Sequence, residues 1–272
     1  MNERDPGALK SLIAGFFDRA APTYDGVAGS YFSILGPRLV DRIELREGAT
    51  IVDVACGKGA TLIPCAERAG TEGTVLGVDV SFEMVRSARA HARKRGLSNV
   101  VVAVMDGERL ALRKACADAV VCGFSLHFFP NPLEAAAEFA RVLSPGGTIA
   151  LSEWGATDDR WAWEDELVGS LLVKSVSSGS FDNHEALEGF LESAEVTDIE
   201  KGTESVTVHL ADEDEWWTWK WSYSFRYMLE QLDADARDRF QADALEHVRT
   251  MRRADGIAIT LHALMAVGRK SR

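Results

Sequence analysis

The chain has 272 residues, 46% of them hydrophobic, and 42 acidic against 30 basic side chains give it a net charge of −12. That length can bury a full core, as one enlarged domain or as one domain with a cap, while the acidic surplus repels phosphate and argues against nucleic acid as a substrate or partner. No stretch approaches a membrane span, and the opening MNERDPG lacks the basic-then-apolar order of a secretion signal, so a cytoplasmic protein without a membrane partner is expected.

The first strong pattern is a buried strand, Ile51 to Val54, running into the glycine loop Gly57-Lys58-Gly59. A helix over about 60–69 follows, and Val75 to Val78 form a second strand that ends in Asp79. This is a βαβ nucleotide unit: the glycines let backbone approach a ligand, the helix N-terminus points at it, and Asp79, twenty residues past Gly59, can accept two ribose hydroxyls. Leu62 stands where a dinucleotide fingerprint wants its third glycine, and Asp53 would set one anion beside a pyrophosphate. A carboxylate there suits a cationic ligand, and S-adenosylmethionine (SAM) carries a sulfonium, an ammonium and a ribose without phosphate. Cys56, Cys65, Cys116 and Cys122 have neither CxxC nor Cys/His spacing, so buried reduced thiols are expected, with no metal site.

Strand and helix continue to alternate. Ser81 caps a helix to about 95 closed by Gly96; Val100 to Val104 form a third strand leading to Asp106, and Asp118 to Gly123 a fourth. A helix over 131–143, a turn at Ser144-Pro145-Gly146-Gly147 and a fifth strand over 148–152 complete a doubly wound sheet, with its ligand expected at the carboxyl ends of the strands. Beyond Trp154 the spacing predicts a helix over 158–175, a capping box of Asp182 with Glu185 for a helix to about 193, strands over 194–200 and 205–210, helices over 213–230 and 234–253, and a last strand over 257–267. In the helix over 213–230, Trp216, Trp219, Tyr223 and Tyr227 fall on one stripe and Trp217, Trp221, Phe225 and Met228 on another. One stripe can pack on the sheet while the other lines a pocket for a flat, apolar acceptor; ordinary core packing and a homodimer contact are the alternatives.

The runs VDVACGKG from Val52, GVDVSFEM from Gly77, MDGERL from Met105 and LSPGGTIALSEW from Leu143 resemble the class I SAM-dependent methyltransferases, and FFDRAAPTYD from Phe16 resembles the opening of their ubiquinone/menaquinone-type, small-molecule branch. The resemblance covers 16–154, about half the chain. It implies an α/β fold: a doubly wound, seven-stranded, mostly parallel Rossmann-like sheet, its last strand antiparallel, with an inserted helical cap. It divides the chain into a lid segment over 1–48, a SAM-binding core over 49–153, a cap with the sixth strand over 154–255 and the closing strand over 256–272.

The cofactor residues expected on this basis are Tyr24, Tyr31, Asp53, Ala55, Gly57, Gly59, Asp79, Val80, Met84, Asp106, Gly107, Phe124 and Ser125. Asp79 is assigned to the ribose and Asp106 to the adenine amino group, Met84 packs on adenine, Gly107 allows close passage of the purine, and Phe124 with Ser125 meets the methionyl end. His127 is the candidate base or acceptor-orienting residue, with Glu153 the alternative. Trp154, Trp217, Trp221 and Phe225 are the expected substrate pocket. The implied reaction is methylation of a small apolar or aromatic acceptor, of secondary metabolism or quinone-like biosynthesis, at oxygen or carbon. A SAM-binding protein that does not methylate and an NAD-dependent oxidoreductase are the rival readings, the latter disfavoured by Asp53 and Leu62.

Overall fold

The computed structural model describes residues 5–27, 31–156, 158–170 and 181–272. Strands β1 (Thr50–Val54), β2 (Thr74–Asp79), β3 (Val100–Val104), β4 (Ala117–Gly123), β5 (Leu143–Trp154), β6 (Val196–Leu210) and β7 (Ile257–Lys270) form one sheet in the order β3-β2-β1-β4-β5-β7-β6. Pairing is parallel from β3 to β5, and β7 enters antiparallel between β5 and β6. The chain thus has the mixed, mostly parallel seven-stranded sheet that the sequence motifs imply.

Alternation along the central strands sends side chains to two buried faces. Ile51, Val75, Ala119, Val121 and Ala150 face one core, with α2 (Tyr31–Val40) and α3 (Leu62–Ala69). Val52, Val54, Val78, Val120, Ile149 and Leu151 face the other, with α5 (Pro132–Val142) and α7 (His184–Ser193). α1 (Pro6–Ala20) begins with Asp5 accepting from the Gly7 N–H, and α4 (Phe82–Lys94) with Ser81 accepting from Met84. No described helix is long and apolar enough to cross a membrane.

Several boundaries differ from the sequence expectation. β5 starts at Leu143, paired with Ala117, before the register shifts to Thr148 opposite Ala119, so the expected turn is an irregular part of the strand. The helix expected over 158–175 is a short 3₁₀ turn, Asp159–Trp161, followed by α6 (Ala162–Ser170); 171–175 lie outside the described residues. The cap of α7 is Asn183, whose Oδ1 accepts from Ala186 at 2.8 Å, and Asp182 accepts from Asn183 Nδ2 instead. β6 is continuous through 201–204 because β7 pairs with it along that stretch. The helix expected over 213–230 is two pieces, α8 (Glu213–Lys220) and α9 (Arg226–Leu229), ahead of α10 (Ala234–Met251). Ser222 ends the first: both its N–H (2.9 Å) and its hydroxyl (2.7 Å) donate to the Trp219 carbonyl, offering the backbone an alternative to another helical turn.

Packing of α2 against the glycine loop turns on Gly36, where a Cβ would stand 2.3 Å from the Ala60 carbonyl oxygen. On an exposed helix Gly→Ala would gain about 1 kcal/mol, but here overpacking should cost about 1–3 kcal/mol. Gly36→Ala is therefore expected to lower the melting temperature by several degrees in thermal unfolding; an unchanged or raised midpoint would refute the contact.

Candidate active site

The glycine loop is organised by a carboxylate on the next strand. Asp79 Oδ2 accepts from the Gly57 N–H and Oδ1 from the Ser81 N–H, both at 2.9 Å, which fixes the loop and the start of α4 together. Gly57 and Gly59 have φ of 50° and 98°, and Ala55 holds φ at 55° although it carries a Cβ. Phe124, at the end of β4, has the same left-handed backbone, with its N–H donating to Ser152 at 2.7 Å. Strain of this kind costs about 1–3 kcal/mol per residue and concentrates at functional sites.

Asp53 is fully buried below the loop. Its Oδ2 accepts from the Thr61 hydroxyl at 2.7 Å, and its Oδ1 has no hydrogen-bond partner among the described residues. Burial pushes its pKa up to about 7, helped by the Asp79 charge and opposed by the donors of Thr61 and Leu62. Burial likewise raises Asp79 to about 6 against the backbone donors of Ser81, Gly57 and Val80.

Above the strand ends lies a cavity. Ala55, Gly57, Asp79, Val80, Asp106, Gly107, Phe124 and Ser125 line it from the sheet side, Met84 from α4 and Tyr24 from the segment after α1. Three expected cofactor residues stand elsewhere. Gly59 lines an adjoining groove that shares Tyr24, Ala55, Gly57, Gly123 and Phe124 with the cavity. Asp53 lies beneath the loop, and Tyr31 is buried against Trp154 and Trp219, with ring centroids 5.6 and 6.1 Å away. Gly107 is required by the protein's own packing, since a Cβ there would stand 2.6 Å from the Phe129 ring and 2.7 Å from Val54.

His127 and Glu153, read from sequence as alternatives, form a pair. Nδ1 of His127 lies 2.7 Å from Glu153 Oε2, and Oε1 of the same buried carboxylate accepts from the Leu126 N–H at 2.6 Å. Neither lines the cavity, but the neighbouring Phe128 does, with its ring centroid 4.0 Å from that of His127. Trp154 packs on Phe124 at 4.3 Å and on Phe32 at 5.6 Å, beside the cavity wall. The expected pocket stripe stands apart from this cavity: Trp217 and Phe225 pack on Phe240 of α10, Trp221 packs on Trp217, and none of the three lines it. Once Ser222 breaks the helix, the stripe no longer shares one face. Sequence reasoning also missed Lys10, Ile13 and Phe17 of α1 and Phe128 to Pro130, all of which line the cavity. The spacing of 10, 13 and 17 on one helical face was the available signal.

Residues 52–151 match a family profile described as a methyltransferase domain. The chain is 37% identical over 145 residues to aklanonic acid methyltransferase DauC of Streptomyces sp. (strain C5), covering 53% of this chain and 66% of that protein. It is 41% identical over 136 residues to nocamycin O-methyltransferase of Saccharothrix syringae, covering 50% of this chain and 49% of that protein. The chain thus spans less than two thirds of the length of these curated relatives, 66% of one and 49% of the other. Among solved structures, the YcgJ protein of Bacillus subtilis superposes with a TM-score of 0.61 at 20% identity, covering 88% of this chain and 99% of that one. The [4+2]-cyclase SpnF superposes at 0.54 with 23% identity, covering 88% and 81%. Residues 52–151 therefore carry a methyltransferase domain of the class I SAM-dependent type. SAM is the cofactor of that class.

Because Asp53 and Asp79 have raised folded-state pKa values, the native protein holds protons that the unfolded chain has released between about pH 4 and 7. These groups contribute stability that is present at low pH and is lost as pH rises through that window. Asp53→Asn, which cannot ionise, is expected to gain melting temperature relative to the parent between pH 5 and pH 8. A parent-to-variant difference that stays constant with pH would show that burial does not hold the Asp53 proton.

Proposed function

We propose that the protein transfers the methyl group of SAM to a small, largely apolar or aromatic acceptor in the cytoplasm, in secondary metabolism or quinone-like biosynthesis. The observation that carries this reading is the convergence of Asp79, Asp106, Met84, Gly57 and Phe124, from separate strand ends, on one cavity above the buried carboxylate of Asp53. The relatives named for aklanonic acid and nocamycin support the acceptor class, and free cysteines at 56, 65, 116 and 122 support a reducing compartment.

The residues fit the cofactor. Each Asp79 oxygen already accepts one backbone N–H and keeps acceptor capacity for a ribose hydroxyl. Asp106 stands one strand further out, for the adenine amino group, with Met84 against the ring. The unpartnered Oδ1 of Asp53 is the buried acceptor that the ammonium of the methionyl half would satisfy, directly or through water. When bound, SAM supplies a methyl group already activated by its sulfonium.

The chain has then to orient the acceptor, exclude water and, for a protonated acceptor, hold a proton. Phe32, Phe124 and Trp154 form the aromatic wall beside the methionyl end and replace the Trp217, Trp221 and Phe225 stripe in that role. With Nδ1 of His127 donating to Glu153, the basic lone pair is on Nε2, the arrangement a general base requires. In this reading 1–48 is the lid, 49–153 the cofactor core, 154–255 the cap and 256–272 the closing strand.

Isothermal titration should detect SAM binding, and Asp79→Asn, whose amide accepts only one of the two backbone N–H groups and turns a donor towards the other, should weaken it by at least about 1.5–3 kcal/mol. Binding of NAD in place of SAM would overturn the reading. For the chemical step, His127→Gln is expected to lower the rate at saturating acceptor by about 10²–10⁴-fold with SAM affinity nearly intact. A loss of less than about threefold would remove His127 as base and leave catalysis to proximity and desolvation.

A further inference from the structure

At the carboxyl end of β3 the cavity is closed from outside by α1. Lys10 reaches from this helix to Asp106 Oδ2 at 2.7 Å and also pairs with Glu108. Both carboxylates are built into the sheet end. Asp106 Oδ1 accepts from the Glu108 N–H at 2.9 Å, and Glu108, whose side chain is fully buried, accepts from the Asn131 N–H at 2.6 Å and its side-chain amide at 3.1 Å. One and two turns further along the same face, Ile13 and Phe17 cover the cavity, with Phe17 edge-on to Phe128 at 5.1 Å.

The two halves of α1 are held differently. Its C-terminal half is tied to the start of α4, where Asp18 accepts from the Ser81 hydroxyl at 2.6 Å and the Glu83 N–H at 3.0 Å, and to α9 through Arg19 and Glu230 at 2.7 Å. Its N-terminal half meets the sheet through Lys10. A helix anchored at one end and ion-paired at the other can swing at the ion-paired end without giving up its base.

We infer that Lys10 is the latch of the cofactor cavity: its pairs with Asp106 and Glu108 hold α1 shut over the bound nucleoside and must break each time cofactor or demethylated product exchanges. This rests on the reading of the cavity as a SAM site. An exposed ion pair would contribute too little to control exchange, but one partner here has no solvent contact, so breaking the pair strands a buried carboxylate. Burial opposes the Lys10 charge, and the two carboxylates nonetheless hold its pKa above the ordinary lysine value.

The test is the exchange kinetics of radiolabelled S-adenosylhomocysteine on the full chain, by rapid mixing for association and chase with unlabelled compound for release. Lys10→Met is expected to accelerate both at least tenfold, with a smaller change in Kd, because a latch obstructs passage in both directions; a plain binding contact would accelerate release alone. The double variant Lys10→Met/Glu108→Gln removes the stranded charge and should show the same acceleration in a stably folded protein, while Lys10→Arg should stay within threefold of the parent. Acceleration of release alone, rates in the double variant within twofold of the parent, or Lys10→Arg as fast as Lys10→Met would each overturn the latch while leaving the cofactor site standing. Failure of the parent itself to bind S-adenosylhomocysteine would overturn both.

Discussion

Two buried carboxylates on neighbouring parallel strands, two residues apart in register, are the constraint on which this architecture depends. The register of β1 and β2 sets Asp53 opposite Gly77 and Val54 opposite Val78, so Asp79 follows directly above the loop that leaves β1. Asp79 spends its oxygens on the N–H groups of Gly57 and Ser81, and that single side chain joins the glycine loop to the start of α4. The cost is electrostatic. Two acids are buried near one another, each raised in pKa mainly by burial, and Asp53 is raised further by its neighbour. A cation placed there removes the conflict, whereas a pyrophosphate would deepen it.

The same strand pair shows how the helix packs without the third glycine of a dinucleotide fold. At Gly77 on β2, a Cβ would stand 2.9 Å from the Cys56 sulfur and 3.0 Å from a Leu62 methyl. The large residue is on α3 and the small one on the strand, an exchange of size across one interface that keeps the volume. Leu62 is fully buried there, so the residue that argues against a dinucleotide in the sequence is also the one that seats α3 on the sheet.

What could be read from the sequence was local or periodic. Strand alternation gave the two-faced core, and the spacing of Gly57, Gly59 and Asp79 placed the loop and the carboxylate that anchors it, because each follows from a few consecutive residues. What could not be read depends on partners distant in the chain. Whether 201–204 is a turn is decided by β7, some sixty residues later. The union of His127 with Glu153 needs β4 and β5 side by side, and the contribution of Lys10 needs α1 to cross the end of β3. The break at Ser222 is a different failure: its signal is local, a serine whose hydroxyl returns to Trp219, but aromatic periodicity on both sides outweighs it in any reading by pattern.

That break also changes what the cap does. If 213–230 were one helix, its second stripe would be available to an acceptor; bent at Trp221, the segment folds its rings around Lys220 instead. Its ammonium lies 4.7 Å from the Phe225 ring centroid, 4.8 Å from that of Trp219 and 5.0 Å from that of Trp216, pairs with Glu164 and donates to the Tyr223 hydroxyl at 2.9 Å. A buried pair of this kind contributes less to stability than an apolar substitute of the same shape, but it fixes one arrangement, since either charge displaced alone is left without compensation. The rings that touch this centre continue outward from Trp219 to Tyr31, from Tyr31 to Trp154 and from Trp154 to Phe124, whose strained backbone faces the cavity. The Lys220–Glu164 ion pair and the cavity wall at Phe124 are therefore two ends of one packed aromatic series. In such a series the shape of that wall is set from both ends, by the sheet through Phe124 and by α8 through Lys220.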